Sequence, residues 1–328
     1  MKIAVLGTGN VATGNYLPVL KDRWGIELGY HNRNRAKAEA AARAFGGTVF
    51  ADVGEVIAWR PDICFVLTSE QAHHATGLPL VEAGLPRIFF EKPLVAARGQ
   101  AHVDEADFWQ GRELLGLARD RGCEVAVMFN YRFFEQTLAA RRLVQERGFG
   151  RLISVTGQVH YACWSHCIDL VCFFGGEVAE VAALEGEVER EGQGIRARDK
   201  TVAFRFSSGG TGTLIGTAGM KWQHPLFELT LGFEGGRLHM RDIDGDLEVL
   251  DGAGPLVERL SLTRDVSRWH HYNESFRKAI TAYLDAVEAG LPPSVSGLDG
   301  LRELQFEAAL RRSVREKRPV RVQAEFPL

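Results

Sequence analysis

The chain opens with an apolar strand that runs directly into a glycine turn, and no other feature restricts its fold so strongly. Ile3, Val5 and Leu6 lead into Gly7-Thr8-Gly9-Asn10-Val11-Ala12, a G-x-G-x-x-A sequence at the mouth of a helix. Strand, turn and helix in that order are the context in which this pattern cradles a dinucleotide. Gly7 permits the tight turn, Gly9 lets the main chain approach a pyrophosphate, and Ala12 is small enough for close packing of helix on strand. The helix start offers N–H groups and a partial positive charge to the phosphates. An ordinary strand-to-helix turn is the alternative reading of the same six residues.

The rest of the first third repeats the alternation. Strands are expected at Ile26–Tyr30, Thr48–Phe50, Ile63–Leu67, Arg87–Phe90 and Glu124–Met128, with helices at Arg35–Phe45, Ala72–Ala83 and Gly111–Asp120. Alternating strands and helices imply parallel pairing and a doubly wound sheet, which binds its ligand outside the carboxyl ends of its strands. Past residue 130 the rhythm changes. A helix over Phe134–Arg147, a strand at Ile153–Val159 and a helix over His166–Phe174 precede six strands between Val178 and Leu250, with Gly209-Gly210 and Gly235-Gly236 as hairpin turns. Helices at Asn273–Ala289 and Leu298–Lys317 close the chain. At 328 residues two domains are expected: a Rossmann domain over 1–122, and an α+β domain with a large, mostly antiparallel open sheet over 123–328.

Composition narrows the setting. A net charge of −3 leaves no basic field for nucleic acid and no polybasic membrane patch. No apolar run is long enough to span a bilayer, and the N-terminus reads as a strand instead of a signal peptide. Five cysteines without framework spacing suit reduced thiols, so the expected location is the cytoplasm. Cys163, His166, Cys167 and Cys172, with His160 upstream, invite a metal reading, but a helix aligns only some of them, and no metal is expected.

Two further segments carry a family likeness: Phe89-Phe90-Glu91-Lys92-Pro93, and Val127-Met128-Phe129-Asn130-Tyr131-Arg132-Phe133. With the glycine turn, they resemble the glucose–fructose oxidoreductase, inositol dehydrogenase and rhizopine catabolism (Gfo/Idh/MocA) family. Ser165-His166-Cys167-Ile168-Asp169 resembles that family's H-x-x-D helix start, and the closing residues resemble its usual terminus. The resemblance implies a nicotinamide enzyme acting on a secondary alcohol or ketone of a sugar, aminosugar or cyclitol. Such a reaction needs a group that takes or gives the hydroxyl proton. Lys92 stands where the family keeps its catalytic lysine, and His166 matches its active-site histidine. Glu91 is expected to position rather than to carry the proton. The resemblance further implies cofactor contacts from Gly7, Gly9, Asn10, Val11, Thr68, His73, Glu91 and Lys92. It places Asn130, Arg132, Trp164 and Asp169 toward the substrate, Asp169 sharing a helix face with His166.

The chain also departs from the pattern. Relatives often carry an aspartate four residues before the histidine, where this chain has Ala162, and Tyr161 or His160 is the candidate substitute. Residues 95–108 form an apparent insertion, either a substrate loop or a surface excursion. Trp222, His224, Trp269, His270, His271 and Tyr272 could supply stacking faces or hydrogen bonds to a sugar ring. NAD enzymes place a carboxylate after the second strand, but here Asn32 takes that position and Arg33 follows, which favours NADP over NAD. A redox-neutral epimerase or lyase that holds its cofactor tightly, and a cofactor-binding sensor without chemistry, are the competing readings. Leu214, Phe227, Leu229, Leu231 and Leu238 are expected on an open sheet face, where an apolar patch would call for a homodimer or homotetramer.

Overall fold

The computed structural model describes residues 1–328 apart from Trp222 and Arg264, so the stacking role expected of Trp222 lies outside the described residues. The chain divides into two compact units that no single boundary separates. The first comprises Met1–Gly99, Ala106–Phe129 and Phe276–Leu304; the second comprises Gln100–Glu105, Asn130–Ser275 and Gln305–Leu328.

The first unit holds a six-stranded parallel sheet of β1 (Lys2–Leu6), β2 (Glu27–His31), β3 (Thr48–Val49), β4 (Ile63–Val66), β5 (Arg87–Phe90) and β6 (Glu124–Val127), in the order β3-β2-β1-β4-β5-β6. Its central strands are continuous apolar runs because helices cover both faces of a parallel sheet. Ile63 to Val66 and Ile88 to Phe90 are all buried. The helices are α1 (Leu17–Asp22), α2 (Arg35–Phe45), α3 (Val53–Trp59), α4 (His73–Glu82) and α5 (Glu105–Arg121). Ahead of α1 the chain makes one wide π-helical turn over Ala12–Tyr16, in which the Leu17 N–H reaches back to the Ala12 carbonyl. Pro18 accounts for it, since it lacks an N–H and its ring would clash with the carbonyl four residues earlier in a regular helix. Helix α3 escapes the sequence pattern. Val56 is its only fully buried residue, but Asp52 caps its start by accepting the Glu55 N–H at 2.9 Å while Glu55 accepts the Ala51 N–H at 2.7 Å.

The second unit holds a nine-stranded sheet of β7 (Leu152–His160), β8 (Val178–Gly192), β9 (Ile195–Phe206), β10 (Thr211–Thr217), β11 (Phe227–Phe233), β12 (Gly236–Arg241), β13 (Leu247–Asp251), β14 (Val257–Leu260) and β15 (Val320–Arg321). Its order is β14-β13-β12-β11-β7-β10-β9-β8-β15, and β7 with β10 is the parallel pair. Both glycine pairs join antiparallel neighbours, β9 to β10 and β11 to β12. The helices here are α6 (Glu135–Glu146), α7 (Trp164–Gly175) and a last turn, α10 (Val322–Glu325); the long helices α8 (Arg268–Glu288) and α9 (Gly297–Glu316) divide their residues between the two units.

Two expectations need correction. Leu214, Phe227, Leu229, Leu231 and Leu238 are buried inside the unit and make no exposed patch. Strand alternation put them on one face correctly, but it is the covered face. The opposite face presents Thr156, Thr201, Thr213, Thr230 and Gln158, with Leu184 76% and Ile215 39% exposed. The segment 95–108 is also no polar excursion. Leu94, Val95, Ala96, Ala101 and Val103 are buried, Asp107 accepts the Ala97 N–H at 2.8 Å, and Arg311 donates to the Ala101 and Val103 carbonyls at 2.7 and 2.8 Å. Residues 105–108 form the first turn of α5. Among the described residues, no helix is long and apolar enough to cross a membrane.

Candidate active site

In the first unit the expected ligand-binding residues gather at the carboxyl ends of β1, β2, β4 and β5. Gly7 ends β1 at φ +100° and donates its N–H to the His31 carbonyl at 2.9 Å. A Cβ there would sit 2.5 Å from the Leu67 carbonyl oxygen, so only glycine fits. Gly9 is the opposite case. Nothing lies within 4 Å of the place its Cβ would take, and the following Asn10 and Val11 are exposed. This is an open cradle at a helix start, the geometry a dinucleotide pyrophosphate requires.

Asn32 follows β2 and faces the turn, donating Nδ2 to Thr8 Oγ1 at 3.0 Å while its Oδ1 accepts the Asn34 N–H at 2.9 Å. Arg33 beside it is exposed, and among the described residues no carboxylate pairs with it, whereas Arg35 is paired with Glu39 at 2.9 Å. Thr68 ends β4, half-buried. His73 is buried, with Nδ1 2.8 Å from the Pro93 carbonyl and Nε2 3.3 Å from that of Thr68. Burial pushes its pKa down, so its ring is neutral and the Nδ1–H donates to Pro93. His73 thus links the end of β4 to the turn after β5.

That turn carries Glu91 and Lys92. Glu91 Oε1 accepts from the Tyr16 hydroxyl at 2.7 Å, and Oε2 accepts the main-chain N–H of Lys92 at 3.0 Å. Desolvation raises the Glu91 pKa above the ordinary carboxylate range, against the pull of the Tyr16 bond and the Lys92 charge. Tyr16 has no place in the sequence reading, because its partner lies 75 residues away.

In the second unit the 3-10 turn Asn130–Phe133 supplies three side chains. Asn130, fully buried, donates to Ser275 Oγ at 2.8 Å. Tyr131 lies flat on His166, with ring centroids 4.0 Å apart and planes 5° from parallel, and its hydroxyl donates to Cys163 Sγ at 3.1 Å. Arg132 forms a buried two-pronged pair with Asp169, Nε to Oδ2 at 2.8 Å and Nη2 to Oδ1 at 2.5 Å, and covers the Phe173 ring at 4.7 Å. The two residues assigned toward the substrate therefore engage each other, an arrangement that fixes α7 to the turn bearing Tyr131.

Tyr161 occupies different ground. It is buried, its hydroxyl donates to the Arg198 carbonyl at 2.7 Å, and Lys200 Nζ lies 3.3 Å from it. Burial pushes the Tyr161 hydroxyl well up and the Lys200 amine down to about 8. Trp164 is buried edge-on against Tyr161 at 5.7 Å, and His160 accepts the Ala162 N–H on Nδ1 at 3.0 Å. Lys200 was not foreseen; nothing local in its strand marks it. Trp269, His270 and His224 are exposed, and His271 and Tyr272 are half-buried. Among the described residues, no three His, Cys, Asp or Glu side chains converge as metal ligands.

The fold and the open cradle of the first unit are those of a dinucleotide-binding module. Residues 1–129 match the model of the GFO_IDH_MocA oxidoreductase family with its NAD-binding Rossmann fold. The uncharacterized oxidoreductase YhhX of Escherichia coli K12 is 27% identical over 164 residues, 48% of this chain and 44% of that protein. The chain spans less than half the length of the curated relatives it matches. Across its whole length it shares the fold of an Agrobacterium radiobacter oxidoreductase solved with NAD+, L-tartaric acid and magnesium (TM-score 0.82, 18% identity, 99% of each chain). A levoglucosan dehydrogenase solved with NADH and levoglucosan is similar in the same way (TM-score 0.80, 17% identity, 98% of this chain and 99% of that one).

The two glycines of the turn separate folding from binding. Gly7→Ala should cost about 2 kcal/mol or more of stability, since its Cβ meets main chain. Gly9→Ala should leave the thermal midpoint within about 2 °C and weaken NAD(P)H binding at least tenfold, on the order of 1.4 kcal/mol. Nicotinamide fluorescence titration with a melting curve checks both; unchanged binding in Gly9→Ala would refute the cradle.

Proposed function

We propose that the protein transfers a hydride between a nicotinamide cofactor and a secondary alcohol or ketone of a sugar, aminosugar or cyclitol, with Lys92 and His166 as the proton-transfer residues. The observation that carries this reading is the turn after β5. It ends a central strand of a dinucleotide-binding sheet, and Glu91 and His73 hold it on either side of Lys92. The levoglucosan dehydrogenase likeness supports a sugar-like substrate over other alcohols. When bound, the nicotinamide supplies the hydride exchange. In oxidation Lys92 Nζ accepts the hydroxyl proton as the carbon–hydrogen bond breaks, and in reduction it returns that proton to the forming hydroxyl. His166, held flat against Tyr131, is the second proton-transfer residue of this reading, since an imidazole exchanges a proton near neutrality. Tyr161, the candidate stand-in for the family aspartate, has its hydroxyl bound to Arg198 and serves this reading as a support behind Trp164 and not as a proton donor.

We further propose NADP as the preferred cofactor. An exposed guanidinium that no carboxylate among the described residues pairs with, directly after Asn32, suits a 2′-phosphate. A homo-oligomer with a dimer as its minimum unit also belongs to this reading. Its support is the uncovered sheet face with Leu184 and Ile215 exposed, in place of the apolar patch first expected.

Lys92→Ala should lose at least a hundredfold in kcat on a polyol that the parent turns over while NAD(P)H binding stays within threefold. His166→Ala should lose less. A fully active Lys92→Ala would overturn the assignment. Arg33→Ala should weaken NADPH binding about tenfold or more, from a charge-assisted contact of about 1.5–3 kcal/mol, and leave NADH binding unchanged. Equal effects on the two cofactors would remove the NADP preference. Light scattering at micromolar concentration should give at least twice the 36.3 kDa of one chain; a concentration-independent monomer mass would refute the oligomer.

A further inference from the structure

The Lys92 turn is tied to the element that opens behind the glycine turn. Tyr16 is fully buried, and its ring meets Phe65, Phe89 and Phe276 edge-on at 5.8, 6.3 and 5.7 Å. Its hydroxyl donates to Glu91 Oε1 at 2.7 Å, and the other oxygen of the same carboxylate takes the Lys92 N–H. We propose that Tyr16 is a positioning residue for the reaction: through Glu91 it sets the backbone of Lys92 from the first turn of the cofactor helix. The inference rests on the assignment of Lys92 made above.

The wide turn at Ala12–Tyr16 is what brings Tyr16 there. One extra residue in a helical turn rotates everything after it by about 100°. With regular α-helical winding, a different side chain would face Glu91. Pi-helical turns of this kind recur at functional sites, and this one has a structural cause in Pro18 and a use in Tyr16.

The carboxylate depends on its donors. Burial favours its neutral form and Glu70 repels its charge, while the Tyr16 hydroxyl, the Lys92 ammonium and the Lys92 N–H favour ionisation. His73, the remaining titratable group at the turn, is kept neutral by burial and holds the Pro93 carbonyl. Without the Tyr16 hydroxyl, Glu91 should bind a proton at higher pH. A protonated Glu91 still accepts the Lys92 N–H on Oε2, but a neutral carboxyl accepts more weakly than a carboxylate, so the hold on Lys92 loosens. The second anchor, His73 on Pro93, stays in place, which predicts misplacement of Lys92 without loss of the turn.

The test is a titration of the full-length protein labelled with carboxyl-13C glutamate, the Glu91 resonance being identified by its loss in Glu91→Gln. Tyr16→Phe keeps the ring and removes one hydrogen bond. Its Glu91 midpoint should rise by about one pH, the effect of a lost hydrogen bond to a charged group. On a polyol that the parent turns over, kcat should fall about tenfold with KM and NADPH binding within threefold. An unchanged midpoint overturns the proposal, including a case where Tyr16→Phe only lowers the melting temperature. If Tyr16→Phe does not fold, Tyr16→Met, which fills much of the same volume and donates no hydrogen bond, takes its place: a raised midpoint supports the link, and an unmoved one overturns it. Full activity in Lys92→Ala would instead overturn the catalytic assignment while leaving the midpoint result standing.

Discussion

The approach of Gly7 to the Leu67 carbonyl is the constraint on which the first unit's site depends. A side chain at position 7 would hold the ends of β1 and β4 apart. With hydrogen there, the Gly7 N–H can bond the His31 carbonyl at the end of β2 while the same residue passes over Leu67 at the end of β4. Three strand ends converge on one helix start, and Asn32, Thr68 and the exposed Asn10 and Val11 come with them. This is how a parallel sheet makes a ligand site at its carboxyl edge: helix dipole, main-chain donors and strand-end side chains all point the same way.

Outward from that turn short links join residues distant in the chain. Tyr16 to Glu91, Glu91 to the Lys92 N–H, and His73 to Pro93 join the helix, the strand end and α4 around one turn. The second unit repeats the method with its own links: Tyr131 against His166, and Arg132 on Asp169. The buried Arg132 guanidinium is met by Asp169, as its desolvation demands, since breaking such a pair would strand a charge at a cost of about 3–5 kcal/mol.

What was legible in the sequence follows from range. The glycine turn, the buried strands β4 and β5 and the two Gly-Gly hairpins are local patterns, and each was found within a residue or two. Helix α3 has one buried residue and so no periodic stripe; its Asp52–Glu55 cap was the signal available. Strand β14 is exposed at the sheet edge and lacks an apolar face. The Phe227, Leu229 and Leu231 alternation told which residues share a face but not which face the helices cover, and that choice was made wrongly. Tyr16, Lys200 and the Arg132–Asp169 pair were beyond reach because their partners lie 75, 39 and 37 residues away. No local propensity encodes a contact of that kind.

The central claim is that this turn and helix hold a nicotinamide dinucleotide. Calorimetric titration of the unmodified protein, freed of any co-purifying nucleotide, with NADPH and with NADH tests it most directly. The account predicts one saturable site per chain for each, with NADPH the tighter by about tenfold, on the order of 1.4 kcal/mol. Absence of saturable heat with either nucleotide up to millimolar concentration would contradict it.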